Sequence, residues 1–223
     1  MYRLFKRGAD FILSLILILI LLPILLPIMI GLKLTGEGYI FYFQERIGYQ
    51  NKPFNVYKFA TMLKDSPNMK GGLITTNKDP RITPMGGFLR KTKINELPQI
   101  FNILFGQMSF VGPRPLMKKS FDTYSNEVQK LIYKSVPGLT GIGSIVFRDE
   151  EALLTEVKNS GKDPWAFYKD VIYKHKGELE LWYQENKSFF TDFKVILLTA
   201  WVVLFPQSNL VYNWFPDLPK RLF

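Results

Sequence analysis

The sequence predicts an α+β fold: a small helix-rich domain with a short mixed sheet, attached to a membrane by an N-terminal apolar helix. Three observations lead to this prediction. An uncharged apolar run covers residues 11–32, two short aromatic and β-branched segments at 39–43 and 54–59 are typical of strands, and helical apolar periodicity recurs later in the chain. The 223 residues suffice for one compact domain with an appendage.

The apolar run 11–32 is long enough to cross a hydrocarbon core, because about 22 helical residues extend about 33 Å. That length, with no small-residue cleavage site after it, argues against a cleaved signal peptide. Pro23 and Pro27 lie one turn apart inside the run and predict a strong bend. Basic residues flank the run on both sides, which favours the cytoplasm for both ends. We therefore expect a kinked, re-entrant helix over 1–35 and a cytoplasmic domain over 36–223.

The composition excludes several kinds of site. Cysteine is absent, so disulfides, thiolate zinc sites and cysteine nucleophiles are excluded. His175 is the single histidine, which excludes a multi-histidine metal centre, and its charged neighbours predict a surface position. The formal net charge of +10 predicts an acidic partner. No nucleic-acid-binding motif is present, so a phosphorylated substrate or an anionic phospholipid membrane is favoured over nucleic acid.

The segment after the apolar run predicts a β-hairpin and then a loop. Residues 39–43 and 54–59 form the two strands, and Lys58 lies near the end of the second. Glycine, proline and asparagine are frequent over 64–80, which is typical of a loop. In that loop, a carboxylate and the guanidinium of Arg81 flank a proline. This pattern indicates either a local capping turn or, for Arg81, the edge of a phosphate site.

The centre of the sequence combines cations with one carboxylate. Arg90 and two lysines end a predicted basic helix, and Glu96 is an acid that could hold a divalent metal. The next predicted helix covers 95–104 with Asn95 as its N-cap. Arg114 lies between two prolines, so its backbone is stiff and its guanidinium suits a phosphate. The pattern predicts a site for a metal-bound diphosphate, and a solvated basic helix end beside a turn is the open alternative.

The later sequence predicts helices over 120–135 and from Asp163 onward. The apolar run 193–205, with about 13 residues, is too short to cross a membrane. It indicates either a core helix or a helix at the membrane surface, and aromatic residues with basic neighbours after it suit an interfacial position.

The central residues also resemble a known signature. Asn95-Glu96-Leu97-Pro98-Gln99 and Met108-Ser109-Phe110-Val111-Gly112-Pro113-Arg114-Pro115 are similar to the motifs of the bacterial sugar transferases, the monotopic phosphoglycosyl transferases. Further blocks match in order along nearly the whole chain: Gln44-Glu45-Arg46-Ile47-Gly48, Tyr57-Lys58-Phe59, Asp79-Pro80-Arg81-Ile82-Thr83, Pro137-Gly138-Leu139-Thr140-Gly141 and Trp182-Tyr183-Gln184-Glu185-Asn186. So many ordered blocks make the resemblance highly specific.

This resemblance implies transfer of a phospho-sugar from a UDP-sugar to polyprenyl (undecaprenyl) phosphate, with release of UMP, as the first membrane step of bacterial exopolysaccharide or lipopolysaccharide synthesis. It implies a monotopic protein on the cytoplasmic face of the bacterial inner membrane, and leaves a homodimer open. In the family an aspartate attacks the β-phosphate, so Asn95 occupies the nucleophile position and Glu96 would hold Mg²⁺. Lys58, Arg90 and Arg114 would neutralise the phosphoryl oxygens.

Two departures from the family pattern bear on activity. Asn95 replaces the aspartate, and a neutral amide is a poor nucleophile. Residues 144–151 also differ from the usual run, where Arg148 would stand for an arginine near the nucleotide or phosphate. Four explanations are open: an engineered trapping mutant, a natural subgroup using Glu96 or the acceptor phosphate, deamidation of Asn95, or a catalytically silent membrane scaffold or binding protein. The second departure favours the natural subgroup, because one engineered change would not explain it.

Overall fold

The structure is a computed structural model that describes residues 1–66, 68–69 and 79–221. It confirms the α+β class. The helices are α1 Tyr2–Leu34, α2 Gly86–Lys91, α3 Gln99–Leu104, α4 Lys118–Phe121, α5 Asn126–Leu131, α6 Ile142–Val146, α7 Glu150–Asn159, α8 Pro164–Phe167, α9 Tyr173–Asn186, α10 Phe189–Leu204 and α11 Leu210–Trp214. The strands are β1 Phe41–Ile47, β2 Pro53–Phe59, β3 Ser109–Val111 and β4 Gly138–Thr140. Single turns of 3-10 helix occur at Tyr49–Asn51, Ile94–Glu96 and Ile132–Lys134, and a π-helical turn at Tyr168–Ile172 precedes α9.

Helix α1 contains the whole predicted membrane segment. Pro23 and Pro27 lie inside it. The helix is nevertheless continuous from Tyr2 to Leu34, so the prolines do not divide it into two helices. The bend and the re-entrant insertion stay predictions. Apolar side chains such as Leu19 and Ile20 are more than half exposed, as lipid-facing side chains would be. By length and composition, α1 is the one helix in the described part of the chain that could cross a membrane.

The chain divides into two compact units. The first unit comprises Met1–Asp10, Arg46–Phe54 and Gly106–Phe223, and the second comprises Phe11–Glu45 and Asn55–Phe105. The predicted boundary at residue 35 separates a membrane segment from a cytoplasmic domain. The two compact units are a different division of the chain, so this boundary stays a prediction.

In the second unit, an apolar cluster holds together the end of α1, strand β2 and helix α2. Leu25 and Leu32 of α1 are buried with Phe59 of β2 and Leu89 of α2. Strand β2 pairs with β1 in a two-stranded sheet, which confirms the predicted hairpin. Strand β1 begins two residues later than expected and continues to Ile47, into residues predicted as a turn.

In the first unit, β3 and β4 form a parallel pair in which Ser109 lies opposite Gly138 and Val111 opposite Thr140. The expected single mixed sheet is therefore two separate two-stranded sheets among the described residues. Gly138 is required here, because a Cβ atom at this position would lie 2.1 Å from the backbone nitrogen of Gly112. This close approach brings the segment after β3 against the segment before β4.

The start of α1 is anchored in the first unit by a half-buried polar cluster around Asp192 of α10. The hydroxyl groups of Tyr2 and Tyr183 donate to the two carboxylate oxygens of Asp192 at 2.7 and 2.8 Å. Lys6 forms an ion pair with the same carboxylate. Asp10 at the end of this segment accepts a hydrogen bond of 3.1 Å from the backbone amide of Phe110. The three donors to the Asp192 carboxylate compensate for the cost of burying its charge.

Several local predictions are corrected or extended in the first unit. The helix expected over 120–135 is instead α4, α5 and a 3-10 turn. His175 is 7% exposed rather than a surface residue, because α9 turns it inward against Phe147. Helix α8 begins after Asp163 as predicted, and the Asp163 carboxylate accepts from the Trp165 amide at 2.9 Å. The predicted loop 64–80 lies partly outside the described residues.

Helix α10 fits both interpretations of the last apolar run. Val195 and Leu198 are fully buried in the core of the first unit. Phe190 and Leu204, in contrast, are more than 70% exposed on the same helix. The helix therefore supplies core on one side and leaves large apolar side chains exposed on the other.

Candidate active site

Asn95 and Glu96 lie in a 3-10 turn, not at the start of an α-helix. Helix α3 begins only at Gln99, so the prediction of a helix over 95–104 capped by Asn95 is wrong. The backbone hydrogen bonds of this turn connect residues three apart, as from the Leu97 amide to the Ile94 carbonyl, which is the 3-10 pattern. Asn95 is thus not placed at an α-helix N-terminus.

The turn is held in place from two sides. Lys93, which precedes it, has a φ of 61°, a left-handed conformation that is unusual for lysine and that reverses the chain after α2. Ile94 and Leu97 pack against the apolar cluster of the second unit. Asn95 is buried, and its carboxamide Oδ1 is a buried atom with no hydrogen-bond partner in the described part of the chain. A buried, unsatisfied amide oxygen is costly and is often found at functional positions.

Strand β2 brings Lys58 to this turn. The Nζ atom of Lys58 lies 3.1 Å from Oε1 of Glu96, and the two side chains are 16% and 24% exposed. The structure therefore brings together two of the predicted site residues that are 38 positions apart in the chain. A partly buried ion pair is less screened than a surface pair, so both charges act strongly on a bound anion or cation.

Asn102 is a positioning residue that the sequence interpretation missed. This fully buried side chain accepts from the Tyr57 amide at 2.9 Å and donates to the Asn55 carbonyl at 2.7 Å. These bonds fasten α3 to the strand that carries Lys58. A carboxamide between the apolar pairs Ile100-Phe101 and Ile103-Leu104 is the available signal, because a buried amide needs partners.

Arg81 forms a buried structural pair. Its Nε and Nη2 atoms donate to the Asp79 carboxylate at 2.9 and 2.6 Å, and Asp79 also accepts from the Arg81 amide at 3.0 Å. Arg81 is 2% exposed. This geometry supports the local capping turn, and a place for Arg81 at the edge of a phosphate site stays a prediction.

The remaining predicted cations lie on different units. Arg90 is half-buried in the last turn of α2, in the second unit with Lys58 and Glu96. Arg114 and Arg148 belong to the first unit, and both are exposed. Arg148 borders an open groove along α7 whose other lining residues are Asp149, Ala152, Thr155, Glu156 and Asn159.

The acidic run after Arg148 is engaged in ion pairs. Arg221 binds the carboxylate of Asp149 with two bonds of 2.6 Å, and this contact lowers the pKa of Asp149. Glu150 pairs with Lys176 and accepts from the Tyr168 hydroxyl at 2.7 Å. The negative charges of Asp149 and Glu150 are thus balanced by Arg221 and Lys176, and no metal ion is needed to balance them.

The residues present fit a magnesium ion held mainly by substrate. In the ranges that the structure describes, no three acidic or histidine side chains lie together as a metal site. Glu96 is the carboxylate of the Asn95–Glu96 turn, and Mg²⁺ in phosphoryl-transfer sites commonly binds one or two carboxylates together with substrate phosphates. A single carboxylate beside Lys58 therefore suits Mg²⁺ only in the presence of a phosphorylated ligand.

The chain is similar to known proteins along most of its length. The family described as "Bacterial sugar transferase" matches residues 1–206. The uncharacterized sugar transferase EpsL of Bacillus subtilis (strain 168) is 36% identical over 169 residues, which cover 76% of this chain and 72% of that protein. The UDP-glucose:undecaprenyl-phosphate glucose-1-phosphate transferase of Klebsiella pneumoniae is 35% identical over 201 residues, covering 88% of this chain and 39% of that protein.

A third relative is the UDP-N-acetylgalactosamine-undecaprenyl-phosphate N-acetylgalactosaminephosphotransferase of Aeromonas hydrophila, which is 34% identical over 148 residues. Those residues cover 66% of this chain and 35% of that protein. The chain thus spans most of the Bacillus protein and well under half of the other two. The match over residues 1–206 includes α1 and the Asn95–Glu96 turn. The chain belongs to the bacterial sugar transferase family.

Proposed function

We propose that this protein transfers a sugar phosphate from a UDP-sugar to undecaprenyl phosphate and releases UMP. The observation that carries the proposal is the Lys58–Glu96 pair beside the buried Asn95, in a chain whose relatives are named for this reaction with glucose and N-acetylgalactosamine. Those relatives differ in the sugar that they are named for, so the proposal extends to the donor class and not to one sugar.

Each proposed role follows from charge and position. Lys58 and Arg90 of the second unit neutralise the negative charge on the donor diphosphate. Arg114 of the first unit is a phosphate-binding candidate by its residue type, since its guanidinium offers a planar fork to phosphate oxygens. Glu96 is the ligand for Mg²⁺, which supplies further charge neutralisation at the diphosphate when it is bound. Lys58 would then exchange its contact with Glu96 for the phosphate.

Because the Asn95 amide is a poor nucleophile, we infer that the acceptor phosphate displaces UMP directly, without a covalent enzyme intermediate. An oxygen of the acceptor phosphate attacks the β-phosphorus of the donor, and the bond from that phosphorus to the bridging oxygen breaks. UMP leaves with the electron pair of that bond, and the product is an undecaprenyl diphosphate sugar. This route is supported by the weak nucleophilicity of the Asn95 amide and by the engagement of Glu96 with Lys58.

The acceptor dependence of UMP release tests this route. We expect purified protein in detergent with Mg²⁺ and a UDP-sugar to release UMP only when polyprenyl phosphate is present. A stoichiometric burst of UMP without acceptor would contradict direct displacement and indicate a covalent enzyme intermediate. Mass spectrometry of the peptide with Asn95 controls for deamidation to aspartate.

A membrane position at the cytoplasmic face is part of the proposal. The exposed apolar side chains of α1 and of α10 support contact of both helices with lipid. The basic flanks of α1 support a cytoplasmic location for both of its ends.

A second candidate is a catalytically silent membrane protein that binds the nucleotide sugar without turning it over. Asn95 is the specific observation that favours it, because this position is an aspartate in the family pattern. Metal-dependent binding of a UDP-sugar without UMP release at any acceptor concentration would identify this function.

A further inference from the structure

The backbone around Arg114 is fixed by partners from elsewhere in the first unit. The Pro113 carbonyl accepts from the Gly138 amide at 2.9 Å, next to the close contact of β3 and β4. The Leu116 carbonyl accepts from the Ile47 amide at 2.8 Å. Both ends of this short segment are therefore hydrogen-bonded to other parts of the chain, although it belongs to no helix or strand.

Two buried side chains hold the polar backbone groups of Arg114 itself. The Tyr133 hydroxyl donates to the Arg114 carbonyl at 2.8 Å and accepts from the Leu116 amide at 2.9 Å. The Arg114 amide donates to the carboxylate of Glu180. Tyr133 is 1% exposed and Glu180 is 4% exposed. Because proline has no amide hydrogen, these bonds use every amide from residue 113 to residue 116.

The side chain of Arg114 is exposed, whereas Pro113 and Pro115 on either side are buried. The peptide is thus fixed by two prolines and by hydrogen bonds at both its N–H and its C=O, while the side chain is exposed. Fixing the Cα–Cβ direction lowers the conformational entropy that a flexible arginine loses when it binds a ligand.

Burying the carboxyl group of Glu180 is costly for the fold. Burial raises the pKa of this carboxyl to about 7, while the Arg114 amide and the charge of Lys176 lower it. Its Oε2 atom is buried and has no hydrogen-bond partner among the described residues. A buried carboxyl that is only partly satisfied is destabilising relative to an apolar side chain of similar volume. Its contact with the Arg114 peptide gives it another role.

We propose that Tyr133 and Glu180 are positioning residues, which fix the peptide of Arg114 and so hold its side chain in position to bind a phosphate group. This inference rests on the proposed function, because it takes the phosphate-binding role of Arg114 from there. Neither residue touches the donor in this proposal.

Hydrogen exchange of the Arg114 and Leu116 amides tests the contacts directly and needs no substrate. Glu180→Met removes the acceptor and keeps the volume, whereas Glu180→Gln keeps an acceptor oxygen. Tyr133→Phe removes only the hydroxyl. Tyr124→Phe is the matched control, since Tyr124 is also a buried tyrosine of this unit. We expect exchange about tenfold faster in Glu180→Met and Tyr133→Phe, and wild-type exchange in Glu180→Gln and Tyr124→Phe. Unchanged exchange in the first two variants would overturn the inference.

Equilibrium affinity for a UDP-sugar with Mg²⁺ tests the function of these contacts. We expect Glu180→Met and Tyr133→Phe to bind about three- to tenfold more weakly than wild type, with Glu180→Gln restored and Tyr124→Phe unaffected. Arg114→Gln removes the guanidinium itself, so its loss of affinity is the largest that the positioning variants can cause. Faster amide exchange with unchanged affinity, or no effect of Arg114→Gln, would overturn the positioning role alone. Failure of the wild-type protein to bind any UDP-sugar would instead overturn the proposed function, and the positioning role with it.

Discussion

The Nζ atom of Lys58 lies 3.1 Å from the carboxylate of Glu96, and this contact joins strand β2 to the turn that follows α2. The pair places a mobile positive charge beside a potential metal ligand. Both side chains are partly exposed, so a phosphorylated ligand can reach them. The turn itself is fixed by Lys93 and by apolar contacts, so the carboxylate has a defined position before any ligand binds.

Removing the positive charge of Lys58 should impair the reaction far more than the fold. We expect Lys58→Gln to lower kcat/KM for the UDP-sugar by about 100-fold, since one donor to a developing phosphoryl charge is lost. The melting temperature should change little, because partly exposed ion pairs contribute about 1 kcal/mol or less. Steady-state UMP release and thermal unfolding measure both effects. Lys52→Gln, just before the same strand, is the control; equal activity of the two variants would contradict the role of Lys58.

Replacing Glu96 should abolish the dependence of donor binding on magnesium. In Glu96→Gln the carboxylate is lost, and we expect UDP-sugar affinity to be the same with Mg²⁺ and with a chelator. The wild-type protein should bind more weakly when the metal is removed. Isothermal titration with and without chelator measures the difference, and Glu127→Gln on the exposed start of α5 is the control. A metal effect that persists in Glu96→Gln would place the ion elsewhere.

Asn102 should contribute to stability and to activity together. In Asn102→Ala the Tyr57 amide and the Asn55 carbonyl lose their partner in a buried position, which should cost about 1–3 kcal/mol of the free energy of unfolding. Because α3 is then less firmly tied to β2, we also expect lower kcat/KM. Denaturant unfolding in detergent and UMP release measure the two effects. Asn126→Ala, at the exposed start of α5, should stay within about 0.5 kcal/mol of wild type.

Glu180 should make stability depend on pH. Its pKa is raised from 4.5 to about 7 in the folded protein, so the folded state binds a proton more tightly than the unfolded state. Stability is therefore greatest below the unfolded value and falls as pH rises through this interval. Relative to Glu180→Gln, the wild-type protein should lose up to about 3 kcal/mol. Melting temperatures of both proteins over this interval test it, and parallel curves would contradict the raised pKa.

The re-entrant insertion of α1 predicts that both of its flanks lie on one side of the membrane. The chain has no cysteine, so Leu4→Cys and Lys52→Cys each create a single reactive thiol. Both positions are exposed. We expect an impermeant maleimide to label both variants from the cytoplasmic side of sealed vesicles. Labelling of the two thiols from opposite sides would contradict the re-entrant insertion and support a straight span.

The parts of the fold that follow from local chemistry could be predicted. Alternation of apolar residues gave strand β2, and Asp163 followed by a proline gave the start of α8. The predicted start of α3 is wrong, because Asn95 is a good capping residue but the backbone around it forms a 3-10 turn and α3 begins only at Gln99. His175 was placed wrongly for a related reason. Its charged neighbours indicated solvent, but the core contacts of α9 decided its orientation.

The sequence predicts which residues belong to the site, but not which of them are in contact. Lys58 and Glu96 were both candidates, but the contact between them depends on how β2 and the turn pack around the apolar cluster. Arg81 is a candidate as well. Its buried ion pair with Asp79, two residues earlier, fits the alternative of a local capping turn. Asn102 and Tyr133 were missed. The apolar neighbours of Asn102 indicate burial, but no local pattern identifies the distant backbone groups to which these two side chains bond.

The most direct test of the central claim is UMP release across a panel of UDP-sugars in the presence of undecaprenyl phosphate and Mg²⁺. The wild-type protein, Asn95→Asp and Glu96→Gln are compared in the same detergent. We expect turnover by the wild-type protein with at least one UDP-sugar, no deamidation of Asn95, and loss of activity in Glu96→Gln. No UMP release from the wild-type protein with any donor would contradict this expectation. In that case, activity gained only in Asn95→Asp would identify an intact site that lacks its nucleophile.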